Sequence, residues 1–371
     1  MYDDSTPAQD GRPAGAGRVR GGRVRLSLLS FEAAAFLVLT SVAAVGLSAR
    51  LDGPGAGPAA GRSAVDGHEI LVEALALAPG RDVLISSGWD DTVRFWDLEA
   101  EGAAWGGEMH TLPHGSRPYA LAPSPDGRYL AVGGSSNLTV WEARDGGWSQ
   151  LASKQGTDGR YLAFAPDSRS LAIGGEGGEV RILAVPALEE KAALRGLTDM
   201  VHSVAFSADG ARVAATSFRG ELVIWDAATG ARSPLGRKVG RVHCFAFSRD
   251  GRTLATAPRL GGRGGVTLWD VEAGEPKATL GGGEGYNAVA FSPDDGLVAG
   301  AGVDQAIRAW DPKSGEMRGE LNGGVGWVKT ILFTGGGSRL AYGGRDGSIR
   351  FWDVPPPILR AAVADRASSD G

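Results

Sequence analysis

The chain has 371 residues, with 59 Gly and 19 Pro, 43% hydrophobic residues, a single Cys and a net charge of −5. That apolar content can fill a large core and excludes global disorder. So much Gly disfavours a helical body, because Gly costs about 1 kcal/mol against Ala inside a helix. The acidic balance argues against a general nucleic-acid binder, and the lone Cys244 excludes an internal disulfide or a Cys-rich zinc site.

In chain order, residues 1–25 are polar, rich in Gly and Pro, and end in Arg18, Arg20, Arg23 and Arg25, which predicts a disordered basic start. Residues 26–49 are almost uninterrupted apolar and small residues, broken only by Glu32. As a helix they would span about 36 Å, enough for a bilayer of about 30 Å. The expectation is an uncleaved membrane anchor with the Arg-rich end inside, which puts the bulk of the protein on the extracytoplasmic side. A cleaved secretory signal, with Ala44-Val45-Gly46 as the processing site, and a buried helix are the alternatives. The first of these would leave a secreted or periplasmic protein. Residues 50–67 hold five Gly and two Pro without periodicity and read as a flexible tether.

From position 68 one pattern recurs. An apolar strand leads into a Ser-x-Asp-Gly-like turn, then a second strand, a Gly-containing turn, and a strand closing in Trp-Asp. The first turns are SPDG (124–127), APDS (165–168), SADG (207–210), SRDG (248–251) and SPDD (292–295). The closing indoles are Trp96, Trp141, Trp225, Trp269, Trp310 and Trp352, with Leu183 in the equivalent place in EVRILA (179–184). Successive copies are 41 to 45 residues apart. One small sheet exposes two apolar faces and cannot fold alone, so such units are stable only when stacked.

This pattern resembles the WD-repeat family of β-propellers. The resemblance implies an all-β, seven-bladed β-propeller of four-stranded antiparallel blades over residues 68–364, preceded by the N-terminal hydrophobic helix and followed by a disordered tail, 365–371. In that family the amino-terminal side often completes the last blade. Here that side offers only SAV (63–65), whereas ILRAAVA (358–364) follows Trp352 at the offset of an outer strand. Completion from the carboxy terminus is therefore expected.

Laid on the family pattern, His68, Ser86, Asp90 and Trp96 occupy the four positions of a structural hydrogen-bond chain rather than a catalytic triad. Buried polar groups between strands need partners, and no G-x-S-x-G nucleophile elbow accompanies them. Blades two to five lack the Asp and are expected to rely on apolar packing. Asp304 and Asp346 keep it in blades six and seven.

The resemblance also implies a rim on which partners dock. The carried-over positions include Trp89, Tyr119, Arg160, His202, Phe218, His243, Trp327, Lys329 and Arg345. Trp89 and Trp327 stand outside the closing Trp-Asp pairs, and aromatic and Arg residues dominate binding hot spots. The rim cations suggest an acidic peptide or protein surface as partner. His202 and His243 occupy equivalent places on adjacent blades, but no third ligand is spaced for a metal. No metal and no cofactor are expected. Cys244 reads as a small buried filler. The functional expectation is a membrane-tethered, non-enzymatic protein-interaction scaffold of undetermined oligomeric state. The alternative is a propeller enzyme or ligand binder, of hydrolase, lactonase or dehydrogenase type, using the channel mouth.

Overall fold

The computed structural model describes residues 64–65, 67–80, 82–98, 107–144, 147–233, 242–258, 264–282, 285–322, 326–337 and 339–353. They form seven antiparallel sheets that follow one another along the chain. Blade one comprises Val72–Ala78, Val83–Gly88, Thr92–Asp97 and Glu108–Pro113. Blade two comprises Pro118–Pro123, Tyr129–Gly134, Asn137–Arg144 and Gly147–Gln155. Blade three runs Leu162–Phe164, Ser170–Gly174, Glu179–Ala184 and Glu189–Arg195. Blade four has Val201–Phe206, Arg212–Ser217 and Leu222–Asp226, with a single outer bridge from Trp225 to Arg232. Blade five has Val242–Phe247, Thr253–Pro258, Val266–Asp270 and Glu275–Leu280. Blade six has Tyr286–Phe291, Val298–Gly302, Ala306–Trp310 and Met317–Asn322. Blade seven has Val328–Thr334, Arg339–Gly344 and Ile349–Asp353.

The fourth strand of blade seven is Ala64–Val65, pairing Ala64 with Arg350 and Val65 with Ile349. This corrects the expected carboxy-terminal completion; residues 358–364 lie outside the described residues. The propeller therefore begins at 64, inside the stretch read as tether. Closing the last sheet with the first strand joins the two ends of the repeat array. The inner strand of each blade touches that of the next, and that of blade seven touches that of blade one, so the ring is closed.

Seven apolar clusters fill the seven gaps between blades. The closing gap holds Val72, Leu84 and Trp96 against Ala341, Ile349 and Phe351. The gap between blades six and seven sets Ala299 and Ile307 against Val328, Phe333 and Leu340. Second strands such as Tyr129–Gly134 are buried along their whole length, which explains their unbroken apolar runs. Burying one such Val, Leu or Ile stabilises the fold by about 1.5–3 kcal/mol. A sheet without neighbours gains that on neither face.

The Ser-x-Asp-Gly turns fold by the chemistry their residues carry. Ser248 Oγ donates to Asp250 and accepts from the Thr253 amide, while Asp250 accepts from the Arg252 amide. The fourth residue must take a left-handed backbone, as Gly127 does at φ 70°. Ser168 and Asp295 hold the same conformation without being Gly, at φ 57° and 58°. Each offsets that strain by reaching the turn of the preceding blade. Ser168 Oγ accepts from the Asp126 amide at 3.0 Å, and Asp295 accepts from the Arg249 amide at 2.7 Å.

Residues 26–49, expected as a hydrophobic helix, lie outside the described residues, as do 1–25 and 354–371. Among the described residues no helix is long and apolar enough to cross a membrane.

Candidate functional site

His68 precedes the inner strand of blade one, Ser86 lies on the second strand, Asp90 in the following turn and Trp96 on the third. The fold brings all four together. The Trp96 indole donates to Ser86 Oγ at 2.8 Å, Ser86 Oγ lies 2.8 Å from His68 Nε2, and His68 Nδ1 lies 2.8 Å from Asp90 Oδ1. An ionised Asp90 fixes the proton on Nδ1, so Nε2 accepts from Ser86 and Ser86 accepts from the indole. Every donor then has an acceptor. Asp90 also accepts from Thr92 Oγ1 at 2.7 Å and pairs with Arg94 at 3.0 Å.

Burial pulls His68 below the usual imidazole range, outweighing the hydrogen bond and charge of Asp90. Burial opposes the charge on Asp90, but hydrogen bonds from Thr92 and His68 outweigh it and hold the carboxyl below its usual range. Ser86 is wholly buried, aims its proton at His68 and accepts from the Trp96 indole. The chain of four groups ties the segment before the inner strand, the second strand, the following turn and the third strand of blade one to one another.

The other blades satisfy their indoles differently, and apolar packing is only part of the answer. The Trp269 indole donates to Thr256, which stands in the place of Ser86, and Trp141 donates to Thr139. Trp225 reaches across to the Arg195 carbonyl of blade three. Trp310 instead packs edge-on against Tyr286, with centroids 6.0 Å apart. Asp304 and Asp346 each pair with the Arg four residues on, Arg308 and Arg350, as Asp90 does with Arg94. His114 was missed by sequence reading. It lies four residues before the inner strand of blade two, as His68 does before that of blade one, and its Nδ1 meets the Ser116 carbonyl at 2.9 Å. That spacing was the available signal.

The rim lies at the end of the blades where the inner strands start. Backbone bonds from Trp89 to Leu71, Phe218 to Met200 and Arg345 to Trp327 set the turn and first-strand positions side by side. Lys329 of blade seven meets Glu73 of blade one at 3.0 Å, and the Trp89 indole donates to Glu73 at 2.9 Å. The Arg117 guanidinium then lies 4.0 Å over the Trp89 ring. Arg160 lies 5.8 Å over Tyr119 and pairs with Asp158 at 3.4 Å and Glu176 at 3.7 Å. Burial raises the Asp158 carboxyl above its usual range despite Arg160. Arg345 stacks at 5.8 Å on Trp327, which is 48% exposed.

Six of the nine predicted rim residues thus fall into two groups. Trp89, Tyr119, Arg160 and Lys329 are tied into contacts that bridge adjacent blades. Trp327 and Arg345 face outward, with Ile70, 53% exposed and unremarked in the sequence, on the neighbouring loop. His202 is buried between Tyr161 and Phe218, at 5.2 and 5.9 Å. The side chain of His243 lies outside the described residues. Burial pushes the Cys244 thiol up to about 12, so it is not a thiolate at neutral pH. Among the described residues no three His, Cys, Asp or Glu side chains are grouped to hold a metal.

The sequence profile of the "WD domain, G-beta repeat" matches residues 62–97, 106–142, 189–226, 274–311 and 315–353, together just over half of the chain. The chain belongs to the WD-repeat family. Each matched WD repeat begins with the outer strand of one blade and continues into the first three strands of the next. The first repeat therefore carries Ala64–Val65, which closes blade seven. The stretches outside the profile, 143–188 and 227–273, contain the Leu183 copy and the inner strands of blade five, yet both fold as blades.

Among relatives, WD repeat-containing protein SL1-17 of Schistosoma mansoni is 30% identical over 33% of this chain and 40% of its own length. COMPASS component SWD2 of Saccharomyces cerevisiae is 23% identical over 52% of this chain and 61% of its own. WD repeat-containing protein 82 of Drosophila melanogaster is 27% identical over 52% of this chain and 62% of its own. The match thus spans less than two thirds of each of these relatives.

Proposed function

We propose that this WD-repeat propeller is a non-enzymatic protein-interaction scaffold, tethered to the cell membrane through residues 26–49 with the propeller on the extracytoplasmic side. The observation that carries the interaction reading is the outward-facing Trp327–Arg345 stack beside Ile70 on the rim. An exposed indole under a guanidinium is the composition of a binding hot spot rather than of solvated surface. The name of one relative, COMPASS component SWD2, is that of a part of a larger assembly, which supports the same reading. The tether rests on the composition of 26–49 alone.

The partner is an acidic protein or peptide segment of mixed character. Lys329 and Arg160 already hold carboxylates, whereas Arg117 and Arg345 rest on indoles and have no carboxylate partner among the described residues. Glu69 and Asp91 are exposed near the same rim, which disfavours a uniformly acidic ligand. One or two acidic side chains beside an apolar one match this surface.

Affinity capture from membranes tests the reading, comparing the intact chain with a Trp327→Ala/Arg345→Glu variant. A protein recovered in stoichiometric amount with the intact chain, and depleted about tenfold or more with the variant, supports it. Equal recovery by both removes the rim from consideration. Retention of the full chain on membranes after an alkaline wash, with the propeller open to protease added outside the cell, checks the tether.

A further inference from the structure

The three residues of the proposed docking surface come from both sides of the place where the ring is closed. Trp327 and Arg345 belong to blade seven, where the Arg345 amide donates to the Trp327 carbonyl at 3.3 Å. The turn that carries Arg345 is braced within that blade: Asp346 accepts from the Ser348 amide at 3.0 Å and pairs with Arg350 at 3.1 Å. Ile70 belongs to the segment that leads into the inner strand of blade one. That segment is anchored to blade one by the His68 ring, through Asp90 and Ser86, and by the Glu69 amide, 3.4 Å from Asp90 Oδ2.

The junction between the two sides is slender. In blades one, two, three, five and six the outer strand has six to nine residues and follows the third strand of its own blade along the chain. In blade seven it has two, Ala64 and Val65, and comes from the opposite end of the propeller sequence. Just beyond it the His68 amide donates to the Gly347 carbonyl at 2.8 Å. Gly67 and Gly347 allow these two backbones to meet. A methyl group on Gly67 would stand 2.5 Å from the Gly347 oxygen and 3.0 Å from Ile349. One on Gly347 would strike the His68 carbonyl and lie 3.3 Å from that of Ile70. His68 thus pins both sides, with its backbone on blade seven and its ring on blade one.

We infer that the docking surface is complete only while this latch is shut, so that a partner seated across Ile70, Trp327 and Arg345 clamps the ring closed. The inference rests on the interaction reading proposed above. When Ala64 and Val65 leave Arg350 and Ile349, the Gly67–Ile70 segment loses its hold on the Gly347 turn. Ile70 then parts from a Trp327–Arg345 pair that stays together within blade seven. A ligand that needs both halves binds the closed ring better than the open one, and by linkage its binding favours closure by the same factor.

Paired nitroxide labels on the full chain in detergent test the latch. The Cys244 thiol, pushed up to about 12, stays unlabelled. Labels at Ile70→Cys and Arg345→Cys report one narrow distance in the otherwise intact chain. Gly67→Ala, which wedges the latch, adds a longer distance in about a tenth or more of the molecules. Gly347→Ala, pressing from the other side, repeats that result. Labels at Trp327→Cys and Arg345→Cys keep a single distance in both variants, because both sites lie in blade seven. An Ile70–Arg345 distance unmoved in both variants overturns the inference, and so does a Trp327–Arg345 distance that moves with it. Affinity capture from membranes then tests the clamp. Gly67→Ala retains all three docking side chains, yet recovers about fivefold less of the protein bound by the intact chain. Recovery indifferent to Gly67→Ala while the labels move overturns the clamp. Should the intact chain recover nothing, the interaction reading falls and the clamp with it, whereas the label distances still decide the latch.

Discussion

Blades one and three are built on the same plan from very different residues. Blade one secures its closing indole through four polar groups, each engaged by the next. Blade three has none of the four: Leu183 replaces the indole, and Ile173 stands where Ser86 stands in blade one. Both sheets nevertheless have four strands in the same order and bury apolar clusters against their neighbours. The comparison teaches that stacking of apolar faces makes the blade, and that the polar chain is one of several ways to occupy a buried slot without leaving a donor unpaired.

The sharpest break of that comparison is a cavity in each blade. Trp96→Ala and Leu183→Ala are both expected to destabilise the protein, by about 3–5 and 2–5 kcal/mol respectively, because each empties a fully packed gap. Guanidinium unfolding monitored by circular dichroism measures both. A Leu183→Ala cost below about 1 kcal/mol would make the degenerate blade a passenger in the ring.

A smaller effect separates polar from apolar solutions. Ser86→Ala leaves the Trp96 N–H and His68 Nε2 buried and unpaired, at an expected cost of about 2–4 kcal/mol. Thr256→Val, isosteric and orphaning only the Trp269 N–H, costs about 1–2 kcal/mol. The same unfolding assay ranks them, and the reverse order would mean that the four-group chain adds nothing beyond a single hydrogen bond.

The smallest effect is on pH dependence. His68 binds its proton less readily folded than unfolded, because burial disfavours the imidazolium. Its contribution is therefore fully present above the unfolded value of about 6.5 and is lost as pH falls through the depressed folded value. Asp90, also held low, adds a second loss at more acid pH, as pH falls below about 3.9. The melting temperature of the wild type should decline on acidification below about pH 6.5, and His68→Gln should flatten that decline. An unchanged slope in His68→Gln would assign the acid sensitivity to other groups.

Much of this molecule was legible in advance. The period of the Trp-Asp pairs, the Ser-x-Asp-Gly turns and the alternation in TVRFW and SIRFW gave the blade count. The spacing of His68, Ser86, Asp90 and Trp96 within one repeat is likewise local, and hydrogen bonds join the four. These features are local, and each repeat restates them. The rim was only half legible. Sequence position set Lys329, Arg160 and Trp89 at that end of the blades, but not that they bridge blades, because their partners Glu73, Tyr119 and Arg117 come from neighbouring repeats. Ile70 left no mark in the pattern, since a loop residue has no period.

What the amino-acid order determined by itself is the repeating unit, because strand alternation, turn chemistry and indole spacing act over fewer than about 45 residues. What only the tertiary structure decided is how the units meet. Ala64–Val65 completes blade seven, Ser168 and Asp295 reach the turns of their neighbours, and the His68 amide reaches the Gly347 carbonyl of blade seven. Those outcomes depend on which faces the closed ring sets against each other. Contact between residues distant in the chain is a property of that closure, not of any single repeat.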